Sequence, residues 1–352
     1  MLIQSPKPFE IYLIGDTGDI SRTKTDPVLQ TLKSHLNPDT ESAVVFLGDN
    51  IYPRGMPPVG HLLRNDAECI LRKHHEILKD YHGKIVFISG NHDWNKGRKD
   101  GYEYIIRQEK YIQKLFEGRN VYLPSNGCPG PVEINISEHV TVVAIDTQWW
   151  MQAGFRPIGK KWGCRVNSEE EFFEHLINIL EENKEKHLIV VGHHPVYSYA
   201  IHGGRFKLKH HLFPLTLYDK DAWIPLPFIG SLLPLYRKFL GAREDMSYPR
   251  YRKLRRRLKE IFSNFPGLIY AAGHEHNLQY ICKSNNHFIV SGSGSKTKYV
   301  IQSGKHLEFG IMCKGFFKVT FQPDGAVYVS AWAVDRERHK PKGNLLYEKQ
   351  II

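Results

Sequence analysis

Five short apolar segments of this 352-residue chain end in glycine and are followed by residues that can bind a metal ion. The sequences that follow them are Gly15-Asp16-Thr17-Gly18, Gly48-Asp49-Asn50-Ile51-Tyr52, Gly90-Asn91-His92-Asp93, Gly192-His193-His194-Pro195 and Gly273-His274-Glu275-His276. Carboxylate, amide, phenolate and imidazole groups are hard to borderline ligands, and no thiolate is among them. The set is typical of a dinuclear site for Fe, Mn or Zn rather than of a structural zinc site.

The apolar segments predict buried strands, because they are short, rich in β-branched residues and end at glycine. The predicted strands cover 11–15, 43–48, 84–90, 141–146, 187–192, 267–273 and 287–292. Helices are predicted between them over 26–36, 66–81, 102–116 and 168–183. This alternation predicts a layered α/β fold, in which ligands bind at the carboxyl ends of the strands. We therefore expect the metal-binding residues to meet at one sheet edge.

Three other parts of the chain depart from this alternation. Residues 316–334 predict an antiparallel hairpin around a Pro-Asp-Gly turn. Residues 203–248 are rich in proline, aromatic and basic residues and are interpreted as an insertion. Residues 335–352 are interpreted as a tail or linker, which leaves a single domain over 1–334.

The bulk composition is that of a globular protein, with 41% hydrophobic and 24% charged residues. The net charge of +11 is compatible with nucleic acid, an anionic membrane surface or anionic small substrates. Basic residues concentrate in 205–211 and 251–260, and the second run is interpreted as a solvated helix face. The five cysteines are sparse and form no Cys-x-x-Cys pair, which argues against a disulfide scaffold and a cysteine zinc site.

No secretory signal and no transmembrane segment are expected. The N-terminus has no basic head followed by an apolar core. The longest uncharged stretch, 222–236, is too short to span a bilayer as a helix and contains three prolines.

The motif order Asp, Asp, Asn-His, His, His-x-His resembles that of the calcineurin-like metallophosphoesterases. Many members carry Asp-x-His at the first motif, whereas this chain has Asp16-Thr17-Gly18 and supplies Tyr52 three residues after Asp49. That combination resembles the purple acid phosphatases of the small, tartrate-resistant type, in which a tyrosinate binds Fe(III). The resemblance covers about residues 10–330. It implies an α/β (α+β) four-layer sandwich of two mixed sheets flanked by helices.

The resemblance also implies a role for each motif residue. A ferric ion would be held by Asp16, Asp49, Tyr52 and His276. A divalent Fe, Zn or Mn ion would be held by Asp49, Asn91, His193 and His274, so that Asp49 bridges both ions. A metal-bound hydroxide would attack phosphorus, and His92 and His202 would be the outer-sphere catalytic histidines. His194 is interpreted as a supporting or structural residue.

The resulting hypothesis is a phosphomonoesterase similar to the purple acid phosphatases, acting on phosphate esters. A phosphodiesterase or nucleotidase of the same superfamily is the first alternative, and a non-catalytic membrane- or partner-binding module is the second. The insertion is interpreted as a lid, because it begins directly after His202, in preference to a contact with an anionic membrane surface. The resemblance favours an exported or periplasmic, membrane-associated protein. Nucleic acid is not favoured as a partner.

Overall fold

The computed structural model describes residues 7–36, 41–219, 221–335 and 341–352. Its strands are β1 (Phe9–Ile14), β2 (Ser42–Phe46), β3 (Lys84–Phe87), β4 (Val132–Asn135), β5 (Val140–Ala144), β6 (His187–Val191), β7 (Ile269–Ala272), β8 (Leu278–Lys283), β9 (Asn286–Ser291), β10 (Leu307–Ile311), β11 (Gly315–Phe321), β12 (Val327–Ala333) and β13 (Asn344–Gln350). Its helices are α1 (Pro27–His35), α2 (Arg64–Leu78), α3 (Gly101–Leu115), α4 (Thr147–Met151), α5 (Glu169–Glu182), α6 (Leu208–Leu212), α7 (Leu232–Phe239) and α8 (Pro249–Phe262).

The strands form two mixed sheets. The first sheet has the order β13-β12-β11-β1-β2-β3, and the second has the order β10-β8-β9-β7-β6-β5-β4. Strands β1, β2 and β3 run parallel to one another in the first sheet, as do β5, β6, β7 and β9 in the second. The parallel strands of each sheet therefore bring their carboxyl ends to a common edge.

Because successive side chains point to opposite faces of a strand, the apolar residues of the strands form two separate clusters. Ile11, Leu13 and Val45 of the first sheet pack with Ile189 and Ile269 of the second in a fully buried layer between the sheets. The intervening strand residues pack in a second cluster with the apolar faces of α1, α2, α3, α5 and α8. The predicted four-layer arrangement of two mixed sheets flanked by helices is confirmed.

The predicted strands and helices are all present, within a few residues of their expected ends. The Pro-Asp-Gly hairpin is also present, as the antiparallel pair β11 and β12. Residues 335–352, interpreted as a tail or linker, differ from expectation, because 344–350 form β13 and pair with β12. The ring of Tyr347 stacks on Phe309, with centroids 4.9 Å apart, so this strand is joined to the domain by packing as well as by hydrogen bonds. Residues 336–340 lie outside the described residues.

Residues 203–248 include α6 and α7 and bring many apolar side chains to the surface. Phe228 is fully exposed, and Trp223, Ile229 and Leu232 are more than half exposed. None of the helices in the described ranges is long and apolar enough to cross a bilayer.

A disulfide that the sequence did not indicate joins Cys128 to Cys164. The two cysteines are 36 residues apart, and their Cα atoms lie 5.4 Å apart. This bond connects the loop before β4 to the segment before α5.

Candidate metal centre

The motif residues converge from the two sheets. Asp16, Asp49 and Asn91 follow β1, β2 and β3 of the first sheet. His193 and His274 follow β6 and β7 of the second sheet. The site therefore lies where the carboxyl ends of both sets of parallel strands meet, so the ligands come from two sheets and not from the one sheet edge that was predicted.

Three of the motif side chains meet at the hydroxyl of a fourth, Tyr52. This hydroxyl lies 2.9 Å from Oδ1 of Asp16, 2.9 Å from Oδ2 of Asp49 and 3.0 Å from Nε2 of His276. Nε2 of His276 is also 3.3 Å from Oδ1 of Asp16. These are the four residues that the resemblance assigns to a ferric ion, and the structure brings all four together in a buried cluster.

The remaining predicted ligands meet around the amide oxygen of Asn91. Oδ1 of Asn91 lies 3.0 Å from Nε2 of His193 and 3.1 Å from Nδ1 of His274. Oδ2 of Asp49 is 3.6 Å from Nε2 of His193, so Asp49 lies between the two clusters. One donor atom each from Asp16, Asp49 and His193 can be chosen so that all three lie within 4.8 Å of one another.

The tautomers of the two histidines can be derived from their other contacts. Nδ1 of His193 lies 2.8 Å from the carbonyl oxygen of Leu47, and Nε2 of His274 lies 2.9 Å from that of Glu244. Because a carbonyl only accepts, these nitrogens carry the protons, and in the neutral form of each ring the other nitrogen has a free lone pair.

Those free lone pairs both face Oδ1 of Asn91, which is itself an acceptor because Nδ2 of Asn91 donates to Glu244. Three lone pairs thus converge on one buried point, and in the described part of the chain the ion pairs of Asp16 and Asp49 are with histidines only. Such an arrangement is unfavourable without a cation at its centre. The residues present therefore fit a bound metal ion.

The backbone at the site is held in an uncommon conformation. Asp16, Asp49, His274 and His276 all have positive φ, between 47° and 72°. Few residues other than glycine adopt this region, and such residues cluster at functional sites. Gly48, with φ of 88°, shows why glycine precedes a ligand, since a Cβ here would lie 2.7 Å from Nδ1 of His193.

Burial dominates the electrostatics of the cluster. It raises the pKa of Asp49 to about 8, against the opposing effect of His193 and with a further contribution from Asp16. Burial also acts to raise the pKa of Asp16, but the hydrogen bond and charge of His276 bring it below its ordinary value. Burial and the two carboxylates raise the pKa of the Tyr52 phenol well above its ordinary range. A strongly Lewis-acidic ion would lower the pKa of the Tyr52 phenol and stabilise the phenolate.

The two predicted catalytic histidines lie at the rim of the cluster. Nδ1 of His92 is 2.7 Å from the carbonyl oxygen of Pro53, and its Nε2 is 3.9 Å from Oδ2 of Asp49. The ring of His202 packs on that of His274, with centroids 4.4 Å apart. His194 also packs on His274, and its Nδ1 lies 2.9 Å from Oγ1 of Thr147. Donor atoms of His193, His194 and His274 also approach within 4.8 Å of one another, so His194 lies beside the site.

Three further residues at the site were not predicted from the sequence. Glu244 and Asp245, at the end of the insertion, contact His274 and His202. Asp93 is buried and accepts hydrogen bonds from the backbone of Asn50, Ile51 and Gly90, which fixes the loops that carry Asp49 and Asn91. Its position inside the Gly-Asn-His-Asp motif was the available signal for Asp93, whereas no motif marks Glu244 or Asp245.

Solved structures of similar fold include the following three. GAP50, the anchor in the inner membrane complex of Plasmodium, is 17% identical with a TM-score of 0.57, over 98% of this chain and 89% of that one. The purple acid phosphatase PPD1 from yellow lupin (Lupinus luteus) seeds is 13% identical with a TM-score of 0.57, over 98% of this chain and 54% of that one. A PhoD structure is 10% identical with a TM-score of 0.56, over 98% of this chain and 70% of that one.

Comparison of sequences relates the chain to a family rather than to an individual curated protein. No curated protein matches this chain significantly. The sequence model of the calcineurin-like phosphoesterase family matches residues 9–278, which contain every predicted metal ligand. The chain therefore belongs to the calcineurin-like phosphoesterase family.

Proposed function

We propose that this chain is a dinuclear-metal phosphomonoesterase of the purple-acid-phosphatase type. One ion, ferric, would be held by Asp16, Asp49, Tyr52 and His276. The other, a divalent Fe, Zn or Mn ion, would be held by Asp49, Asn91, His193 and His274. The observation that carries the proposal is the contact of the Tyr52 hydroxyl with Asp16, Asp49 and His276 at 2.9–3.0 Å, since a buried phenol among three such donors suits a trivalent ion.

The two ions, when bound, supply Lewis acidity toward the phosphate oxygens and activate the attacking water. His92 has its Nδ1 proton fixed by the Pro53 carbonyl, so Nε2 is the atom at which a proton can be given to the leaving alkoxide. His202 has Nδ1 directed at Asp245, which leaves its Nε2 for a phosphate oxygen.

Visible absorption tests the ferric assignment. We expect the oxidised, metal-loaded protein to show a charge-transfer band from tyrosinate to Fe(III), and Tyr52→Phe to lose that band. Tyr12→Phe is the matched control, because Tyr12 is also buried but lies on β1, where it contacts Glu10 and His35. A colourless zinc or manganese enzyme with full activity would contradict the ferric site and leave the phosphoesterase activity standing.

The alternatives differ in substrate or in the absence of catalysis. A phosphodiesterase or nucleotidase would use the same ligands, so the ratio of rates on 4-nitrophenyl phosphate and bis(4-nitrophenyl) phosphate separates it from a phosphomonoesterase. A non-catalytic anchoring protein would hydrolyse neither ester. The complete set of seven predicted ligands favours catalysis, because a scaffold kept only for binding would not need them.

The insertion supports a second proposal, that it contacts an anionic membrane surface. Phe228 is 100% exposed and has a φ of 68°, a conformation that is strained for a bulky aromatic residue. Trp223, Ile229 and Leu232 are exposed around it, and the exposed Lys209 lies near Trp223. Exposed apolar and aromatic side chains beside cations suit the interface of an anionic bilayer.

Sedimentation with vesicles tests this contact. We expect the protein to sediment with phosphatidylcholine vesicles that contain phosphatidylglycerol, and Phe228→Ser/Ile229→Ser to remain in the supernatant. Val59→Ser/Leu62→Ser removes two equally exposed apolar side chains elsewhere and is the control. Unchanged sedimentation of the insertion variant would remove the membrane proposal.

We also propose that the protein is exported. The Cys128–Cys164 disulfide supports this, because structural disulfides persist mainly in oxidising compartments. Mass spectrometry of the protein isolated from its native source, with free thiols blocked, tests it. Finding Cys128 and Cys164 as free thiols would contradict the proposal.

A further inference from the structure

A cavity of about 470 Å³ lies beside His202, next to α8, β8 and the two ends of the insertion. Its lining includes six basic side chains. These are Arg205, Lys238, Arg252, Arg255, Lys283 and His306. Among the described residues that line it, none is Asp or Glu. The cavity is therefore strongly electropositive.

The positive charges of this cavity are not balanced by carboxylates. In the described ranges, none of its five Arg and Lys residues forms a salt bridge, although three other basic residues of α8 do, among them Arg256 with Glu260 at 3.9 Å. Lys253 lies 3.2 Å from Glu169, and Arg257 lies 3.2 Å from Glu170. The outer face of α8 is thus the solvated, charge-paired face that the sequence predicted, while its other face leaves cations unpaired beside the cavity.

Arg255 is held in place without a counter-charge. Its Nε donates to the carbonyl oxygen of Val196 at 2.9 Å, and Nη1 donates to that of Met246 at 3.2 Å. Burial lowers the pKa of this guanidinium. Orienting a partly buried Arg by neutral carbonyls leaves its charge available to a ligand, and a planar guanidinium suits phosphate in particular.

We propose that this cavity binds a phosphate compound with at least two anionic groups. A bisphosphate or a longer polyanion offsets more of the five positive charges than a single phosphate does, and the volume is within the range of small-molecule sites. Ser198, Tyr197 and Tyr199 supply hydroxyl groups to the lining. This binding does not depend on the proposed hydrolysis at the metal centre.

His202 connects the cavity to the metal centre. It lines the cavity, and its ring packs on the predicted metal ligand His274. A molecule bound in the cavity is thus separated from the predicted metal-binding residues by one imidazole ring, that of His202. The bound polyanion is either the distal part of a substrate whose ester reaches the metals or a separate ligand beside them.

Calorimetric titration with propane-1,3-bisphosphonate tests the proposal, because this probe carries two phosphonates and cannot be hydrolysed as an ester. We expect Arg252→Gln/Lys283→Gln in the full-length, metal-loaded protein to weaken its binding about tenfold or more, since two charge-assisted contacts are lost. Binding of methylphosphonate, which has one phosphonate, is expected to change much less. Thermal unfolding of each variant verifies that it is folded.

Lys253→Gln/Arg256→Gln is the matched control, because it removes the same charge from α8 outside the cavity. Equal loss of binding in the control and the cavity variant, or no loss in either, would overturn the proposal. Competition between the bisphosphonate and 4-nitrophenyl phosphate would indicate the distal part of a substrate, and simultaneous binding would indicate a separate ligand. A protein without phosphatase activity that still binds the bisphosphonate in the cavity would contradict the proposed function alone.

Discussion

Asp245 binds His202 through a contact of 3.0 Å between Oδ1 and Nδ1, and both side chains are buried. Arg237 donates to the same carboxylate from Nε at 3.0 Å and from Nη2 at 2.5 Å. A carboxylate accepts and a guanidinium only donates, and Nη2 of Arg237 also lies 3.2 Å from Nδ1 of His202, so Asp245 and Arg237 together hold this edge of the imidazole ring. The insertion therefore supplies two residues that hold the ring of a predicted catalytic histidine in place.

Replacing Asp245 by Asn tests this positioning role. We expect kcat on 4-nitrophenyl phosphate to fall about tenfold or more with little change in metal content, because His202 loses the partner that orients it. Breaking the buried pair with Arg237 is also expected to lower the free energy of unfolding by about 3 kcal/mol. Asp219→Asn, at an exposed position of the insertion, is the control. A loss of stability with unchanged kcat would leave Asp245 a structural role only.

Asp49→Asn is expected to remove both activity and metal. Asp49 lies between the two ligand clusters, so its loss is expected to weaken metal affinity by more than the 10–100-fold, roughly, that follows loss of an outer partner. Metal analysis after gel filtration, together with the rate on 4-nitrophenyl phosphate, measures both effects. Asp19→Asn serves as the control, because this exposed residue of the neighbouring loop pairs with Lys296. Retention of two ions and of most activity would show the ligand assignment to be wrong.

Gly48→Ala separates backbone strain from steric overlap at the site. The φ of 88° and the 2.7 Å approach to His193 together predict a loss of about 2–4 kcal/mol in the free energy of unfolding. Gly60→Ala has a φ of 85° with nothing within 4 Å of its Cβ, so it reports the backbone contribution alone. Urea unfolding of both variants gives the difference. Equal losses would mean that His193 moves aside at no cost.

Glu109 on α3 is expected to make stability depend on pH. Burial raises the pKa of its carboxyl to about 7, from an ordinary value near 4.5. The folded state therefore binds a proton more tightly than the unfolded state, and this contribution to stability, present below about pH 4.5, is lost as the pH rises through 7.

Glu109→Gln is expected to flatten the dependence of the unfolding free energy on pH between 4.5 and 7, by at most about 3 kcal/mol. Chemical unfolding at several pH values measures the slope. Glu103→Gln, on the exposed face of the same helix, removes a carboxylate without affecting this buried site. A slope unchanged by Glu109→Gln would exclude Glu109 as its source.

The parts of the fold that the sequence predicted have strong local signals. Strands such as β6 are continuous apolar, β-branched segments, and they are buried on both faces of a central sheet position. Strands β4, β8, β10 and β13 were missed, because they lie at sheet edges or beside them and mix polar with apolar residues. Their pairing is decided by the strand next to them, which no local pattern shows.

The candidate site also contains residues that could be predicted from the sequence and residues that could not. Asp16, Asp49, Asn91, His193 and His274 each follow a recognisable strand, so their meeting could be predicted. Glu244 and Asp245 reach the site only because the insertion folds back over it. Similarly, the disulfide joins Cys128 to Cys164, which are 36 residues apart in the sequence. Such contacts depend on tertiary structure, and neither residue type nor spacing announces them.

The origin of the ligands in two different sheets has a consequence for the interior of the protein. Because four predicted ligands follow strands of one sheet and three follow strands of the other, the spacing of the donor atoms depends on how the two sheets lie against each other. The apolar layer that contains Leu13 and Val191 sets that relation. Metal binding and association of the sheets are thus thermodynamically linked, so that each bound ion stabilises the sandwich and each cavity opened between the sheets weakens metal affinity. Evolution can therefore tune the metal centre through aliphatic residues that never touch it.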